Sequence, residues 1–247
     1  MMKKIFVMIM LGLPIGCKKE GNPITSEQEA QQYFPLAKGN MWVYNNTSDY
    51  SGSDTTVSLT VKLDSPYTQN GIRWYGVNQF CDGDKMTSPL PLFCAEWARD
   101  GNKVLTITEH GPALYNPEVV LDFPLFAGEK WTIKSLDTTY GGPDNSTYQF
   151  IKKERQVKGV ESITVPTGTF ANAWHIEDSS VYVYQYSSLH GTVINYKTKT
   201  ISNEWFVANI GMVKQVIEYT YEDFVLNTIT HSTGTNLLRS YDVRLSN

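Results

Sequence analysis

The sequence predicts an all-β protein whose strands form one large, curved antiparallel sheet, and three observations support this. Aromatic residues make up 13% of the 247-residue chain, including 15 Tyr and 6 Trp, and such side chains suit the half-buried surface of a sheet. Apolar and polar residues alternate over 56–63, which indicates a strand with one buried face. No window shows a long apolar repeat of 3.6 residues, so we expect at most one or two short helices.

Short connections separate the predicted strands, and this favours antiparallel pairing. Asp100-Gly101 has the chemistry of a hairpin turn. Lys158-Gly159 is predicted to be another turn, between strands 148–157 and 160–165. A sheet of this length must curl, split into layers or close, because open edges promote aggregation. We therefore expect a half-barrel or barrel that curls around a helix or an apolar cavity.

A nine-residue motif occurs twice, at 34–42 and 123–131. Each copy is typical of a turn that starts a strand, and coincidence is the alternative explanation. We predict two repeated halves of one sheet, roughly 33–122 and 123–247, with each Trp in the core of its half. Replacing a buried Trp131 by Ala would then cost about 3–5 kcal/mol of stability. The shared positions are Phe34, Pro35, Leu36, Gly39 and Trp42 in the first copy and Phe123, Pro124, Leu125, Gly128 and Trp131 in the second.

The N-terminus has the composition of a secretory signal. Lys3 and Lys4 precede the apolar run 5–13, which is too short to span a bilayer stably. Gly16-Cys17 then resembles the cleavage site of bacterial lipoproteins, whose Cys is acylated and becomes the first mature residue. We expect residues 1–16 to be removed and Cys17 to carry lipid, with ordinary secretory cleavage as the alternative.

Two neighbouring residues refine this resemblance. Pro14 stands where the lipoprotein motif usually has Leu, which is a departure from the pattern. Lys18, rather than Asp, follows the Cys, and in such lipoproteins this implies the outer membrane. The protein is therefore expected in the bacterial cell envelope, facing the periplasm or the cell surface.

Residues 17–32 are predicted to form a flexible tether, because the segment has too few apolar residues to fold alone. A capping box at Ser26–Glu29 allows a short helix that leads into Tyr33. Residues 33–247 are expected to form a single β domain. The formal charge of −4 becomes −6 once the signal is removed, and no basic stripe is present. Nucleic acid is therefore not expected as a partner.

The cysteine count suggests one disulfide. If Cys17 carries lipid, Cys81 and Cys94 remain, and an exported chain meets an oxidising compartment. A bond between them would close the loop 82–93 and stabilise the fold by about 3 kcal/mol. Free or metal-binding thiols are the alternative.

Few residues suggest catalysis. The chain lacks the Gly-x-Ser-x-Gly and His-Glu-x-x-His patterns of serine hydrolases and zinc proteases. His175 and Glu177 could share a strand face and hold a metal or act as base and orienter, or form a half-buried polar pair. Glu161, Glu177 and Asp178 could supply the two carboxyls of a glycosidase. Asp82-Gly83-Asp84 could touch calcium, but it is too short for an EF-hand and is typical of a surface turn. No cofactor or metal is expected.

A tyrosine-rich strand is the most suggestive candidate for binding. Tyr182, Tyr184 and Tyr186 alternate with other residues and share one face. Tyr219 and Tyr221 repeat the arrangement and could extend that face. Aromatic side chains on a sheet can bind sugar rings or line an apolar cavity, although Tyr is also common on ordinary strand faces.

Three motifs resemble a group of uncharacterised bacterial lipoproteins. They are Tyr33-Phe34-Pro35-Leu36 with Gly39 to Tyr44, Val165 to Phe170, and Glu204-Trp205-Phe206-Val207 with Gly211 to Lys214. The resemblance implies a curved antiparallel sheet, similar to the half-barrel of periplasmic lipoprotein carriers, and a location in the envelope. It implies no activity, since the motifs consist of turns and core aromatics such as Gly168, Phe170, Trp205 and Gly211.

The sequence favours a non-enzymatic, lipid-anchored envelope protein that binds an apolar molecule or a protein partner through a concave sheet. The alternative is a carbohydrate-binding module that uses the tyrosine face. A glycosidase or other hydrolase is a weaker alternative.

Overall fold

The computed structural model describes residues 24–49, 55–85, 96–107, 117–142, 144–189 and 191–245. Within these ranges the protein has thirteen strands in one antiparallel sheet and one short helix, so the all-β prediction is confirmed. The elements are α1 (Ser26–Tyr33), β1 (Met41–Ser48), β2 (Thr55–Gln69), β3 (Ile72–Cys81), β4 (Asp84–Lys85), β5 (Glu96–Asp100), β6 (Lys103–Ile107), β7 (Glu118–Asp122), β8 (Lys130–Gly141), β9 (Asn145–Val165), β10 (Gly168–Ser188), β11 (Gly191–Val207), β12 (Gly211–Asp223) and β13 (Thr228–Asp242).

The sheet consists of two halves, and each half is formed by a continuous part of the chain. Its strand order is β7-β6-β5-β3-β2-β1-β13-β12-β11-β10-β9-β8, and β4 pairs with β3. The first half therefore holds β1 to β7 and the second holds β8 to β13, as the repeated motif predicts. The halves join where Met41 to Ser48 pair with the strand from Gly234 to Asp242.

The two ends of the sheet approach each other, so that the sheet is shaped like a nearly closed barrel. The indole Nε1 of Trp131 in β8 donates to the carbonyl oxygen of Val119 in β7, at 3.3 Å. From β9, Nη1 of Arg155 donates to the carbonyl oxygen of Val120, at 2.8 Å. These bonds show that one face of β8–β13 turns toward β1–β7, and we call it the inner face.

The repeated motif forms the same turn twice. The backbone N–H of Gly39 donates to the carbonyl of Leu63 in β2 at 3.0 Å, and that of Gly128 donates to the carbonyl of Val157 in β9 at 2.7 Å. In each half the turn thus starts the first strand and fixes it to the second. The peptide bond between Phe123 and Pro124 is cis.

Motif residues from distant parts of the chain meet at one end of the barrel. Trp42 is 4% exposed, and its Nε1 donates to the carbonyl of Ile210 at 2.6 Å. A Cβ added to Gly211 would lie 3.6 Å from that Nε1 and 3.7 Å from Cδ of Pro35. The ring of Phe34 packs edge-on against Trp97, with centroids 4.9 Å apart. The motifs are therefore architectural.

Trp131 differs from the prediction. Trp42 fills the core, but Trp131 is only half-buried and lies where β8 meets β7. Phe123 and Leu125 are the buried residues of the second copy. The two halves are thus not equivalent, because the second motif stands at an edge of the sheet and the first at its centre.

The helix α1 closes one end of the core. Ala30 is fully buried against residues that include Phe123 and Phe206. The helix begins after Thr25, whose side chain accepts from the N–H of Gln28, so the cap lies one residue before the predicted one. The end of the predicted tether is therefore a docked helix rather than flexible chain.

The predicted turn at Lys158-Gly159 is wrong. β9 is continuous, and it pairs His175 with Gly159 and Ile176 with Val157, which leaves Lys158 as an extra residue in a β-bulge. Gly159 has a φ of 140°, which suits glycine in such a bulge.

The hairpin between β9 and β10 folds over the sheet. Val165 pairs with Gly168, and the backbone N–H of Thr167 in the turn donates to the carbonyl of Leu238 in β13, at 3.3 Å. Phe170 packs, partly buried, against the same apolar cluster as Leu238 and Trp205. The second and third motifs thus meet in the core.

Candidate functional site

The inner face of the second half is built in layers, which β10 shows most simply. Ile176 is fully buried in an apolar cluster, and Asp178 two residues later is buried in a polar layer. Further along the same face come Tyr182 and Tyr184, which are half-buried. An apolar base, a polar layer and a tyrosine cluster therefore follow one another toward the end of the barrel opposite α1.

The polar layer is centred on Arg155, which is 6% exposed. Its Nη2 lies 3.0 Å from Oδ2 of Asp178 and 3.2 Å from Oε2 of Glu204. The three residues come from adjacent strands β9, β10 and β11. One buried cation therefore serves two buried carboxylates.

Amide side chains extend this layer across the sheet. Nε2 of Gln215 donates to Oε1 of Glu204 at 3.0 Å, and Nδ2 of Asn236 donates to Oε1 of Gln215 at 3.1 Å. Nδ2 of Asn46 donates in turn to Oδ1 of Asn236 at 2.7 Å. The layer thus reaches β1 and links the two halves.

Burial raises the pKa of Glu204 above its usual value of 4.5. Arg155 lowers that pKa, and the nearby charge of Asp178 raises it again. A carboxyl that loses its water and shares its cation with a second carboxyl holds its proton more tightly.

Four tyrosines form the cluster beyond the polar layer: Tyr182, Tyr184, Tyr196 and Tyr221. The rings of Tyr182 and Tyr184 are 6.4 Å apart, and those of Tyr184 and Tyr196 are 5.5 Å apart, both pairs with an interplanar angle of 27°. The ring of Tyr221 lies 5.5 Å from that of Tyr196 at 31°. Tyr182 also lies 5.8 Å from Tyr196 at 54°, so these three rings contact one another and Tyr221 joins them through Tyr196. We call this cluster the tyrosine wall.

The sequence predicted three of these four residues. Tyr196 was missed, although it lies at the centre of the wall, because the pairing of Tyr184 with Tyr196 across β10 and β11 is not visible in either strand alone. Tyr219 lies on the same face, opposite Thr200. Tyr186 stands at the margin, where its hydroxyl donates to Oδ1 of Asn145 at 3.0 Å.

The tyrosine wall stands on strands that extend past those of the first half. β1 ends at Ser48, which pairs with Gly234 of β13. Tyr219 and Tyr221 of β12 pair with Ser232 and Thr230, further toward the end of the sheet. Within the described strands, the wall therefore lies beyond the last residue pair between β1 and β13.

The hydroxyl groups of the wall have different partners. Burial, followed by the hydrogen bond to Tyr196, raises the pKa of Tyr182 to about 12, so this hydroxyl stays protonated at neutral pH. The hydroxyl of Tyr221 donates to Oδ2 of Asp223 at 3.2 Å. Among the described residues, none forms a hydrogen bond with the hydroxyl of Tyr184.

His175 lies on the outer face and does not pair with Glu177 as proposed. Its Nδ1 is 3.1 Å from Oε1 of Glu161, and its Nε2 is 2.8 Å from Oδ1 of Asn203. Its ring stacks on Trp205, with centroids 4.6 Å apart. His175 is thus held within a packed aromatic and polar cluster.

The three carboxyls considered for glycoside hydrolysis have separate partners. Glu161 accepts from Nε1 of Trp205 at 2.5 Å, and Glu177 pairs with Lys158 at 3.2 Å. Asp178 lies on the opposite face of β10 and pairs with Arg155. The structure therefore does not assemble an acid–base pair from them.

The remaining candidates concern metals and thiols. Asp82 is in a turn, where Oδ1 accepts from the backbone N–H of Ser58 at 2.8 Å. Within the described residues, no group of three or more His, Cys, Asp or Glu side chains is placed to hold a metal ion. Cys81 is half-buried at the end of β3. Cys17 and Cys94 lie outside the described residues, so lipidation and the disulfide stay predictions.

A small cavity lies at the apolar end of the barrel, among residues of the first and third motifs. Its volume is about 20 Å³, and it is lined by Trp42, Trp97 and Met212 among others. That volume holds one or two water molecules. Among the described residues at this end, the cavity is thus far smaller than an apolar ligand would need.

Exposed apolar side chains surround the opposite end, near the tyrosine wall. In the turn between β12 and β13, Phe224 is 53% and Leu226 is 70% exposed. The carboxylate of Asp223 fixes this turn by accepting from the N–H groups of Val225 and Leu226, both at 2.9 Å. These hydrogen bonds lower the pKa of Asp223, and the bond from Leu226 has the largest effect.

No helix within the described residues is long and apolar enough to cross a membrane.

Two solved structures are similar to this chain in outline. One is an inferred exported protein with a YmcC-like fold from Bacteroides fragilis NCTC 9343; it is 14% identical, the match covers 85% of this chain and 99% of that one, and the TM-score is 0.42. The other is an inferred lipoprotein from Parabacteroides distasonis ATCC 8503, with 14% identity, 85% and 98% coverage, and a TM-score of 0.43.

No curated protein sequence matches the chain. The model of one family, described as DUF3108-like, matches residues 41–221, which run from the first strand of the sheet to the tyrosine wall. The chain belongs to the DUF3108-like family.

Proposed function

We propose that the protein is a non-enzymatic binding protein of the bacterial cell envelope, which takes up its ligand on the tyrosine wall. One observation carries this proposal. The wall is half-buried, it extends beyond the closed barrel, and the hydroxyl of Tyr184 at its centre has no partner among the described residues. A cluster of aromatic rings with a free hydroxyl group is the kind of surface that proteins use for recognition.

The core gives less support to the apolar ligand that the sequence favours. The apolar base is packed, and the cavity beside Trp42 is too small for an acyl chain. The polar layer around Arg155 then separates this base from the tyrosine wall. A ligand that approaches the inner face from the tyrosine end would meet tyrosines first, which favours the carbohydrate-binding alternative.

The location follows from the N-terminal sequence. Cys17 is proposed to carry lipid, and residues 18–24 would join the anchor to α1, most simply at the outer membrane. Since α1 closes the end of the barrel opposite the tyrosine wall, an anchored protein could present the wall away from the membrane that holds it.

The test is binding by the mature protein, residues 17–247, to fractionated envelope glycans, lipids and peptides. Tyr184→Ala combined with Tyr196→Ala should weaken binding at least tenfold. Tyr148→Ala is the matched control, because Tyr148 pairs with Gln185 and therefore points to the outer face. If the double variant binds as the wild type does, the tyrosine wall is not the site.

A second candidate function is docking to a protein of the envelope, which the exposed turn at Phe224 and Leu226 supports. Turns usually hold Gly, Pro, Asn, Asp or Ser rather than three successive large apolar residues. A photo-crosslinker at Leu226 should then capture one defined partner in intact cells. The same group at Val160, which is also exposed, is the control, and equal labelling from both positions would exclude specific docking.

A further inference from the structure

We propose that the ligand of the tyrosine wall is a glycan with free amino groups, whose positive charge is bound by the carboxylate of Asp223 and by the faces of the tyrosine rings. This inference rests on the proposed function and names the ligand class of the same site. Three properties of the wall support it: a carboxylate without a cationic partner, ring faces that the other rings leave uncovered, and aliphatic side chains along its border.

The carboxylate of Asp223 belongs to the tyrosine wall. The hydroxyl of Tyr221 donates to its Oδ2 at 3.2 Å, and Asp223 pairs with Tyr196 across β11 and β12. Asp223 therefore faces the same side of the sheet as these two tyrosines. Its side chain is half-buried, as theirs are. A ligand that lies on this end of the wall would meet the carboxylate.

Asp223 is negatively charged at neutral pH. The hydrogen bond from the N–H of Leu226 has the largest effect on its pKa, and together with those from Val225 and Tyr221 it lowers this pKa against the opposing effect of burial. Among the described residues, no Lys, Arg or His side chain forms an ion pair with Asp223. A cationic group of a ligand would supply the missing charge.

The lysines of the neighbouring strands are bound to other carboxylates. Lys197 is on the outer face of β11, where it pairs with Glu222 at 3.4 Å. Lys153 is on β9 and pairs with Glu118 at 3.3 Å, and β10 and β11 separate it from β12. Neither lysine therefore neutralises Asp223.

The carboxylate can accept a further hydrogen bond. Its Oδ1 accepts from the N–H groups of Val225 and Leu226, both at 2.9 Å, whereas the described residues give Oδ2 one donor, the hydroxyl of Tyr221. Each carboxylate oxygen has two lone pairs. An ammonium group that donates to Oδ2 would complete this set and lie beside Tyr221.

The tyrosine rings offer faces to such a cation. Tyr182, Tyr184 and Tyr196 lie at the corners of a nearly equilateral triangle, with ring centroids 6.4, 5.5 and 5.8 Å apart. In a triangle the two neighbours of each ring lie on one side of it, so they do not cover both of its faces. The face of a tyrosine ring is electron-rich and attracts an ammonium group.

Aliphatic side chains border the tyrosines on the same face of the sheet. Ile151 pairs with Tyr182, Leu136 pairs with Ile151, and Ile194 pairs with Tyr186. Apolar surface of this kind suits the C–H groups of a sugar ring, while the tyrosine hydroxyls suit its polar edge. The wall therefore fits a ligand that combines a carbon skeleton, hydroxyl groups and a positive charge.

An oligomer fits the wall better than a small amine or a peptide. Ile151 on β9 and Asp223 on β12 are three strand spacings apart, about 14 Å, so a small amine would cover one end of the wall only. Proteins bind extended peptides by adding them to a free strand edge or by placing side chains in pockets. The strands β10, β11 and β12 have partners on both sides and offer no such edge.

The experiment compares two oligomers that differ in the amine alone. The mature protein, residues 17–247, is titrated by calorimetry with an oligomer of glucosamine and with the N-acetylglucosamine oligomer of the same length, at about pH 6, where a primary amine is protonated. We expect the glucosamine oligomer to bind about tenfold more tightly. Added salt should weaken its binding and leave that of the acetylated oligomer unchanged, because only the first involves opposite charges.

Asp223→Asn should remove most of this preference and leave binding of the acetylated oligomer unchanged. The Asn carbonyl can still accept from the N–H groups of the turn, so the variant should fold, and its melting temperature checks this. Glu222→Gln is the matched control. It changes the net charge by the same amount, but Glu222 is bound to Lys197 on the outer face, so the preference should remain.

The outcomes separate the inference from the function on which it rests. Equal or tighter binding of the acetylated oligomer, no binding of either oligomer, or an unchanged preference in Asp223→Asn overturns the inference. Tighter binding of choline or of a lysine-containing peptide through Asp223 also overturns it, because the carrier of the ammonium group would then not be a glycan. If a glycan binds and Tyr184→Ala combined with Tyr196→Ala does not weaken it, the proposed function of the wall itself fails.

Discussion

Gly39 and Gly128 occupy equivalent positions in the two halves of the sheet, with φ values of 85° and 88°. Each donates its backbone N–H to the second strand of its half, at Leu63 and Val157. The sequence repeat is therefore a repeat of one left-handed turn. Only glycine adopts this conformation without strain, which explains why the motif keeps it.

We predict that Gly39→Ala and Gly128→Ala each lower the free energy of unfolding by about 1–2 kcal/mol, the cost of holding an L-residue in the left-handed region. No atom lies within 4 Å of an added Cβ at either site, so the loss would come from the backbone alone. Gly76→Ala in β3 is the control, since its Cβ would meet only Cβ of Asp64 at an ordinary 3.6 Å. Urea denaturation measures all three, and equal losses at all sites would contradict the explanation.

The N-terminal cap gives a second prediction. Thr25→Ala removes the hydroxyl that accepts from Gln28 and should cost about 1 kcal/mol of stability. Ser26→Ala, at the residue that the sequence indicated as the cap, should have little effect. Thermal melting of the two variants decides between them, and the reverse order would place the helix start at Ser26 after all.

The fold class was predictable from the sequence because alternation is a local property of each strand. The predicted break at Lys158-Gly159 was wrong because a Lys-Gly dipeptide is compatible with both a turn and a bulge. Pairing with β10 decides between them, since it continues on both sides of Lys158. Long-range pairing of this kind cannot be read from a short segment.

The candidate site was predictable only in part for the same reason. Tyr182 and Tyr184 are two residues apart on one strand, so the sequence alone shows that they share a face. Tyr196 joins them only through the register of β10 and β11. The polar layer does have a local signal in the sequence. Gln215 interrupts the alternating apolar residues Val213 and Ile217, which marks a polar side chain on an inward-facing position.

The two motif tryptophans should differ in their effect on stability. Trp42→Ala would open a cavity in the core and lose the bond to Ile210, which should cost about 3–5 kcal/mol. Trp131→Ala should cost clearly less, because that side chain is half-buried at the seam between β7 and β8. Guanidinium denaturation of both variants tests this. An equal loss would mean that the seam contributes as much as the core.

Arg155 is expected to be the most sensitive polar residue. Arg155→Ala leaves Asp178 and Glu204 buried without their cation, and removing one partner of a buried ion pair typically costs about 3–5 kcal/mol. Adding Asp178→Asn to that variant should restore part of the loss. Lys130→Ala, which breaks an exposed pair with Glu154, should cost less than about 1 kcal/mol. If the Arg155 and Lys130 variants lose the same stability, the layer is not electrostatically coupled.

Ionisation of Glu204 should lower the free energy of unfolding as the pH rises above 4.5, the usual pKa of a glutamate side chain. Burial raises its pKa in the folded protein, so the folded state holds the proton more tightly than the unfolded state does. The stabilisation by this proton is complete below the unfolded pKa and disappears as pH passes the folded pKa. The destabilisation caused by Glu204→Gln should therefore be largest at acidic pH and shrink toward neutral pH. Urea denaturation across this range measures it, with Glu218→Gln at an exposed position of β12 as the control. A destabilisation that grows with pH would show that Arg155, not burial, dominates the ionisation of Glu204.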